Sequence, residues 1–268
     1  MNRRISAEFA YQVFALIIVT ILIHSVYVAI IRPAASDVLE AQAAKLADDG
    51  SFVPQRSWYV VIRDFEQEVC FVLMFWGVAI LGFKSMKVQR EQRLFSRNLL
   101  ALDEGNRILP EDARKHARQI QALPPAERGA LLPRCLLAGL DRFAATRNIG
   151  DVSSMTQALC QLEAERQESE LSMIRYIVWA IPSIGFIGTV RGIGDALGLA
   201  YKAVEGDITG VTQSLGVAFN STFVALLLSL ILMFLVHQFQ LVQERLVLDS
   251  REYCDRNLIG KLAVGPRG

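Results

Sequence analysis

Four apolar stretches constrain what this chain can fold into more than any other feature of its sequence. They cover residues 10–31, 58–83, 175–200 and 211–236. A helix of about 20 residues crosses the ~30 Å hydrocarbon core of a bilayer. Lipid offers no hydrogen-bond partner to the backbone, so a stretch of this length must satisfy its own N–H and C=O groups as a helix. The sequence therefore predicts an all-α membrane protein with four transmembrane helices.

The second of these stretches is interrupted by charge. Its uncharged part, residues 69–83, is short for a span. Residues 58–62 extend it only across a set of charged side chains, which are Arg63, Asp64, Glu66 and Glu68. We predict one helix over 58–83 whose charged outer part forms ion pairs at the membrane interface. Docking of a partner protein on these charges is the alternative interpretation.

The distribution of Lys and Arg predicts how the helices are oriented. Residues 84–175 carry fifteen Lys and Arg, whereas residues 32–57 carry three. Basic loops are retained on the cytoplasmic side of a membrane. We therefore expect both termini and residues 84–174 in the cytoplasm. A cleaved signal peptide over residues 1–36 is the alternative, but the first apolar stretch exceeds the usual core of roughly 7–15 residues.

The predicted cytoplasmic region is helical and continues the last two spans. We expect helices over four stretches, which are residues 85–109, 111–122, 151–181 and 217–259. Gly150 precedes the third of them, with Asp151 and Ser153 as capping candidates. The last two stretches contain no glycine or proline. They are therefore predicted to form long helical extensions of the third and fourth spans into the cytoplasm.

The composition argues against an ordinary soluble domain, and the scattered cysteines and histidines argue against a metal site. Hydrophobic residues make up 52% of the 268 residues and the mean hydropathy is +0.32, which is too apolar for an ordinary soluble domain. The net charge of +1 gives no reason to expect nucleic acid as a partner. The four cysteines and three histidines are scattered without a CxxC pair. We predict free thiols, no metal, no cofactor and no catalytic residues.

Small and hydroxyl-bearing residues recur on one face of each of the last two spans. In the segment SIGFIGTVRGIGDALG (residues 183–198), Gly185, Gly188 and Gly192 share a face, and Thr189 lies beside them. The strip on the fourth span consists of Ser214, Ala218, Ser221, Thr222, Ala225 and Ser229. Such strips either let helices pack closely or line a narrow polar path with their hydroxyl groups. The spacing alone does not decide between these two interpretations.

Two consecutive motifs in this region resemble a known family. IPSIGFIGTVRGIGDALG followed by SLGVAFNSTFVALLLSLILMFLVHQ is similar to the paired pore helices of the MotA/TolQ/ExbB proton channel family, over residues 175–240. The resemblance implies a homopentamer around two copies of a single-span partner of the MotB/TolR/ExbD type in the bacterial inner membrane, with membrane lipids as further partners. The partner's membrane aspartate would carry protons, and proton flow would drive rotation or force.

The resemblance also assigns roles to individual residues. Thr189 corresponds to the threonine of the family's glycine-threonine-valine motif, and Thr222 to the threonine of the last span. The implied ion pathway consists of Thr189, Thr222, Ser221 and Asn220, and the implied helix-packing residues are Gly185, Gly188, Gly192, Ala218 and Ala225. Because the strip on the fourth span carries no carboxylate, the titratable group must come from Asp195 or from the partner.

This interpretation divides the chain into six segments. They are an N-terminal anchor span at 1–31, a periplasmic segment at 32–57, a second span at 58–83, a helical cytoplasmic region at 84–174, the paired pore helices at 175–236 and a cytoplasmic helical tail at 237–268. The N-terminal anchor is an additional span compared with the three-span members of the family.

Two residues depart from the family pattern. Arg191 stands where relatives often carry an apolar or aromatic residue, and Val217 stands where ExbB- and TolQ-like members place a glutamate. These departures argue against a conventional TolQ or ExbB and leave a motility, envelope or defence role open. Arg191 and Asp195 are four residues apart and can pair on one helix face. We interpret them either as a local ion pair at the outer interface or as a gate at the outer mouth of the pore.

Other polar residues near the spans have simpler interpretations. His24 is expected to form a hydrogen bond between helices rather than to relay protons. A basic face follows the second span and consists of Lys84, Lys87, Arg90, Arg93 and Arg97. It suits attraction to anionic lipid or contact with a cytoplasmic target.

Two other functions compete with the motor subunit. A non-conducting membrane scaffold or signalling subunit would use the same close packing without ion flow. A small-molecule transporter is disfavoured, because inverted repeats and substrate-binding charges near the midplane are not evident. A neighbouring encoded protein with one span and a membrane aspartate would favour the motor subunit.

Overall fold

The computed structural model describes residues 7–48, 56–97, 99–100 and 107–264, and all regular elements within these ranges are helical. The α-helices are α1 (Ala7–Val26), α2 (Arg32–Asp48), α3 (Trp58–Ile62), α4 (Phe65–Gln92), α5 (Ala113–Gln121), α6 (Pro125–Arg128), α7 (Leu131–Thr146), α8 (Ile149–Glu170), α9 (Ser172–Gly198), α10 (Ala200–Val204) and α11 (Thr209–Asn257). A π-helical turn, Tyr27–Ile31, joins α1 to α2, and a 3-10 turn, Ile259–Lys261, follows α11. The predicted all-α fold is confirmed.

Within the described part of the chain, four helical stretches are long and apolar enough to cross a membrane. They are Glu8–Leu46, Phe65–Gln92, Ile149–Gly198 and Thr209–Lys261. Each contains all or most of one of the stretches identified in the sequence. The prediction of four candidate membrane helices is therefore confirmed.

The chain forms two compact units. The first consists of residues 1–82 and 173–236, and the second consists of residues 83–172 and 237–268. These limits fall within two residues of the expected cytoplasmic ends of the second, third and fourth spans. The first unit thus contains nearly all of the apolar stretches, and the second is built from the intervening region and the tail.

In the first unit, the N-terminal helix runs past the expected end of its span. α1, the π turn and α2 form a helical stretch that continues to Asp48 and so occupies much of the segment 32–57. Pro33 lies at the second position of α2. A proline ring crowds the carbonyl four residues before it, and the wider turn at Tyr27–Ile31 makes room for that ring without ending the helix.

The prediction of a single helix over residues 58–83 is wrong. Arg63 and Asp64 interrupt it, so that α3 ends before them and α4 begins after them. The two residues form an ion pair, with 3.5 Å between Arg63 Nε and Asp64 Oδ1. The break places Glu66 and Glu68 in the first turn of α4, where acidic side chains stabilise a helix N-terminus.

Large apolar side chains are exposed on the helices of the first unit. They include Phe14, Ile17 and Ile21 of α1, Phe186 and Ile187 of α9, and Phe219, Leu226 and Phe234 of α11. Soluble monomers rarely expose apolar surface on this scale. In a bilayer the same side chains face lipid tails or neighbouring membrane helices.

The second unit has a hydrophobic core of its own. Residues from α5, α7, α8 and the end of α11 bury a cluster that includes Leu131, Leu136, Leu140, Phe143 and Val152. Cys135, Cys160 and Cys254 belong to this cluster, and Cys70 is buried in α4. All four thiols are free, as predicted.

The predicted helix over residues 85–109 is also wrong. α4 ends at Gln92, and Ile108 pairs with Leu262 in a parallel bridge. The Ile108 N–H donates to the Lys261 carbonyl at 2.8 Å, and the Ile108 side chain is fully buried in the core. Burial of an apolar side chain and a backbone hydrogen bond thus outweigh helix formation, and the glycine at position 105 weakens a helix in the same range.

The start of α8 differs in detail from the prediction. Its N-cap is Asn148, whose Oδ1 accepts a hydrogen bond from the Gly150 N–H at 2.9 Å. The capping candidates Asp151 and Ser153 lie inside the helix. One turn residue, Leu171, separates α8 from α9, so the expected continuous helix is divided there.

Candidate functional site

The glycine face of α9 lies directly against α11 within the same chain. Gly185, Gly188 and Gly192 are all buried. A Cβ atom at Gly185 would overlap the Cβ of Ala225, and one at Gly192 would lie 2.7 Å from the backbone N of Ala218. Non-bonded carbon atoms do not approach so closely. The two helices can therefore take this separation only with glycine at these positions.

The two threonines implied as pathway residues meet at this helix contact. The hydroxyl groups of Thr189 and Thr222 are in hydrogen-bond contact with each other. Thr189 Oγ1 donates to the Ala218 carbonyl on α11 at 3.0 Å, and Thr222 Oγ1 lies 3.2 Å from the Gly185 carbonyl on α9. Each hydroxyl group has one proton and two acceptor lone pairs. The pair is thus satisfied by the backbone of the facing helix and keeps acceptor capacity.

Ser221 and Asn220 flank the threonine pair on α11 but make different contacts. Ser221 Oγ donates to the Val217 carbonyl at 2.8 Å and accepts a long hydrogen bond of 3.4 Å from Gln67 Nε2 of α4. Asn220 Oδ1 accepts from Arg56 Nη2 at 2.9 Å. Ser221 is therefore part of the packed interior, whereas Asn220 contacts Arg56, which precedes α3.

Gln67 is a buried polar residue that the sequence analysis did not identify. Its side chain is fully buried, and its Oε1 atom has no hydrogen-bond partner among the described residues. A buried amide oxygen without a partner carries a free-energy cost. It also offers an acceptor close to Ser221, on the helix that faces both α9 and α11.

Arg191 pairs with a residue that the sequence analysis did not assign to it. Its Nε lies 2.6 Å from Glu66 Oε1 and its Nη2 lies 2.9 Å from Glu66 Oε2, a bidentate arrangement. The expected contact with Asp195 is longer, at 3.8 Å. Glu66 also approaches the glycine face, because its Cγ lies 3.1 Å from the position of a Cβ on Gly188. A carboxylate of α4 thus lies against the glycine face of α9.

A second carboxylate on α4 joins the N-terminal helices. Glu68 Oε1 lies 2.6 Å from His24 Nδ1, and Glu68 Oε2 accepts from Arg32 Nη2 at 2.5 Å. The Glu68 side chain is 8% exposed, whereas the His24 side chain is 58% exposed. His24 thus forms the interhelical contact expected for it. Arg32 is a second partner of Glu68 because the N-terminal helix continues beyond residue 31.

No group of His, Cys, Asp and Glu among the residues that the structure describes is arranged to hold a metal ion. The polar groups around the threonine pair are hydroxyl groups, one bidentate Arg–Glu pair and the amides of Gln67 and Asn220. These groups can donate and accept hydrogen bonds and can balance charge, and they include neither a nucleophile paired with a base nor a metal-binding set.

Comparison with protein families gives a match over the segment that contains this site. Residues 129–252 match the model of the MotA/TolQ/ExbB proton channel family. The matched segment covers α7, α8, α9, α10 and most of α11, so it extends further toward the N-terminus than the motifs recognised in the sequence. The resemblance recognised from those motifs is confirmed for this segment. No curated protein and no solved structure matches the chain.

Proposed function

Because residues 129–252 belong to the MotA/TolQ/ExbB proton channel family, we propose that this chain is a subunit of a proton-driven motor that couples ion flow to rotation or force. The family consists of channel-type membrane subunits rather than enzymes, and its members work in complexes with partner proteins. The proposal adds to this a ring of copies, a specific partner and an ion pathway through the threonine pair.

The Thr189–Thr222 pair is the observation that carries the proposal. It lies in the segment that matches the family, and it presents one hydroxyl group from each of the two helices at one place. A hydroxyl group can donate to a carboxylate and accept from a carboxylic acid. A protonated carboxyl group of a partner helix would therefore find an acceptor here. An ionised one would find a donor once a threonine proton leaves its backbone carbonyl, so the pair can serve both states of a proton carrier.

The proposed assembly is a homopentamer around two single-span helices of the MotB/TolR/ExbD type. It lies in the bacterial inner membrane, with both termini and residues 84–174 in the cytoplasm. The exposed apolar side chains of α1, α9 and α11 support a membrane assembly, since they need lipid or neighbouring copies around them. In this assembly Ser221 and Asn220 flank the pathway, and Arg191 with Asp195 forms the gate at its outer mouth.

The bidentate pair changes how such a gate would work. Arg191 is 47% exposed in its side chain, and its buried partner Glu66 is 8% exposed. The guanidinium group is thus held in place by Glu66 while one side remains accessible. The pair is neutral as a whole, but a cation that approaches from the accessible side meets its positive end. The gate is therefore proposed to consist of Arg191 and Glu66 together, with Asp195 as a weaker partner.

The experiment that tests the proposal measures proton flux. The full chain is reconstituted into vesicles with a single-span partner of the MotB/TolR/ExbD type from the same genome, and an internal pH dye records proton entry under an imposed membrane potential. Thr189→Ala and Thr222→Val each remove a hydroxyl group from the pair. We expect partner-dependent flux to fall at least about tenfold in each, the effect of losing one hydrogen bond to a charged group.

Thr212→Val is the matched control for this experiment. It removes a hydroxyl group from the same helix, but Thr212 Oγ1 donates to the Ile208 carbonyl of its own helix at 2.6 Å. Flux should stay unchanged in this variant. A cryo-microscopy count of subunits and central helices, made on each variant, establishes that the assembly is intact. Normal flux in both pathway variants would reject the threonine pathway.

A non-conducting scaffold is a second candidate, and one observation favours it. Both threonine hydroxyl groups already contact backbone carbonyls of the facing helix, and the glycine face is filled by α11 of the same chain. These contacts explain the small-residue strips through helix packing alone. The same reconstitution separates the two functions, because a scaffold assembles with its partner and gives no flux above that of protein-free vesicles.

A further inference from the structure

A groove with a cationic rim lies in the second unit, away from the threonine site. It has a volume of about 540 Å³ and lies between the end of α4 and the segment around α6. Lys87, Arg90, Arg93 and Arg97 form its cationic rim, and Leu94, Pro124 and Ala126 contribute apolar surface. We call this site the basic groove. Its size is typical of pockets that bind small ligands.

The acidic residues of the basic groove are already engaged. Glu127 Oε2 accepts from Arg97 Nη1 at 2.8 Å. Glu91 Oε2 accepts from the backbone N–H of Leu131 at 3.2 Å, at the start of α7. Burial raises the pKa of Glu91, although the Leu131 N–H and the charge of Lys87 oppose this. Both carboxylates thus have hydrogen-bond partners other than Arg90 and Arg93.

Two arginines of the basic groove have no acidic partner among the residues that the structure describes. Arg97 is paired with Glu127, and Lys87 lies near enough to Glu170 that its charge lowers the pKa of that carboxyl group, although burial opposes this. Arg90 and Arg93 form no ion pair within the described ranges, and both are exposed. They are three residues apart on the same chain segment, beside apolar surface that could contact the rest of a ligand.

We propose that the basic groove binds the phosphate group of an organic phosphate, with Arg90 and Arg93 as its principal ligands. A guanidinium group donates two parallel hydrogen bonds to phosphate oxygens, and this geometry together with full charge makes arginine the preferred phosphate ligand. The apolar residues of the groove then contact the organic part. A net positive charge repels cationic ligands and attracts anionic ones.

Two sources of phosphate share this chemistry. One is the headgroup of an anionic phospholipid, since Arg90 follows the expected inner end of the second span by seven residues, about 10 Å of helix rise. The other is a soluble organic phosphate of the cytoplasm. The recognising atoms are the same in both cases, so the source is decided by the two arms of one experiment.

The experiment uses the full chain in lipid nanodiscs. In the soluble arm, the nanodiscs contain phosphatidylcholine only, and inorganic pyrophosphate is titrated by calorimetry against sulfate at equal ionic strength. In the lipid arm, the nanodiscs contain phosphatidylglycerol as well, and native mass spectrometry counts retained phosphatidylglycerol. The variant Arg90→Gln/Arg93→Gln should weaken binding at least about tenfold in one arm, since each lost charge-assisted hydrogen bond has roughly that effect.

A matched double variant controls for loss of charge. Arg114→Gln/Arg118→Gln removes two exposed arginines from α5 in the same unit, outside the groove, and should leave binding within about twofold, as expected for charges that do not touch the ligand. Arg90→Lys/Arg93→Lys keeps the charge and loses the bidentate fork, so it should bind with intermediate strength. The thermal unfolding midpoint of every variant is measured in the same nanodiscs.

Loss of pyrophosphate binding identifies a soluble ligand, and loss of phosphatidylglycerol retention alone identifies a lipid. The proposal is overturned if the wild-type chain binds neither probe more strongly than sulfate or phosphatidylcholine. It is also overturned if the α5 variant weakens binding as much as the groove variant. Proton flux does not enter this test, so its outcome is independent of the proposed motor function.

Discussion

Gly185 of α9 lies directly against Ala225 of α11, with no room for a side-chain carbon atom between them. The same contact places the Gly185 carbonyl 3.2 Å from Thr222 Oγ1. The close approach of the two backbones therefore also fixes the position of the threonine pair. Any side chain at position 185 must move α11 and with it the hydroxyl group of Thr222.

We predict that Gly185→Ala destabilises the protein although alanine favours a helix more than glycine does. The added methyl group would overlap Ala225 and lie 3.0 Å from the Ser221 carbonyl oxygen. Overpacking of this kind costs about 1–3 kcal/mol. The unfolding free energy in detergent, measured by denaturant titration, should fall by about that amount.

Gly194→Ala is the matched control for this prediction. No atom lies within 4 Å of a Cβ built at Gly194, so helix propensity alone should act there and stabilise by about 0.5–1 kcal/mol. Adding Ala225→Gly to Gly185→Ala should recover part of the lost stability, because the backbone contact with Ser221 remains. Equal effects at positions 185 and 194 would contradict the packing interpretation.

The spacing of small residues in the sequence was sufficient to find the glycine face, because a helix repeats every 3.6 residues and its apolar and small positions follow that period. The same period identified Thr189 and Thr222 as residues near one face of each helix. Periodicity describes one helix and not its neighbour. It therefore could not predict whether the glycine face contacts another subunit or α11 of the same chain.

The pairing of Glu66 with Arg191 could not be derived from spacing, since 125 residues separate them. One signal was present. A charged residue within a membrane segment is costly alone, and the second span carries carboxylates such as Glu66 while the third carries Arg191. The helical period indicates Asp195 as the partner of Arg191. That period describes a single helix and therefore gives no contact between spans.

The break at Arg63 and Asp64 and the cap at Asn148 were within reach of sequence reasoning. Asn is among the residues preferred at a helix N-cap, and it stands two positions before Gly150. The extended pairing of Ile108 with Leu262 was not, because it depends on a core assembled from distant segments. Local sequence preferences thus locate helix ends, and tertiary burial decides where a helix does not form.

We predict that Asn148→Ala destabilises the second unit by about 1 kcal/mol, since it removes the side-chain acceptor of the Gly150 N–H. Ser153→Ala provides the comparison, because Ser153 lies inside α8 and caps nothing. Hydrogen exchange of the first turn of α8 measures the effect locally. Faster exchange in both variants alike would show that Asn148 does not act as the cap.

Glu91 gives the protein a pH dependence with a defined sign. Burial is the largest cause that raises its pKa in the folded state above the ordinary value near 4.3. The folded state therefore holds a proton more tightly than the unfolded state does. Stability contributed by this group is present at low pH and is lost as the pH rises through the raised folded pKa.

Glu91→Gln should remove this dependence. An amide keeps the acceptor for the Leu131 N–H and carries no charge to bury, so the variant should gain stability over the wild type as the pH rises from 4 toward neutrality. Thermal unfolding midpoints of both proteins across this range give the difference. Glu165→Gln, an exposed change on α8, should show no such trend. A constant difference between Glu91→Gln and the wild type would contradict the assigned cause.

A double-mutant cycle on Glu66 and Arg191 distinguishes a structural role of this pair from a gating role. Arg191→Gln leaves the buried carboxylate of Glu66 without its bidentate partner and should cost about 1–3 kcal/mol of unfolding free energy, the penalty of an unsatisfied charged group. Glu66→Gln combined with Arg191→Gln should cost less than the sum of the single changes, because the uncompensated charge is gone. Asp195→Asn should have little effect on stability, since its oxygen lies 3.8 Å from Arg191 and is exposed.

Ion leak through partner-free complexes is the second quantity measured for the variants of this cycle. If the fixed positive charge gates the pathway, Arg191→Gln and the double variant should both raise proton leak in vesicles, since both lack that charge. A purely structural pair would instead give leak that follows stability, so that the double variant, with its stability largely restored, leaks like the wild type. Glu66→Gln keeps the guanidinium group and should leave leak low while it loosens the position of Arg191. The pattern of leak across these three variants, with assembly verified by particle images, therefore decides between a charge that holds helices together and a charge that excludes cations.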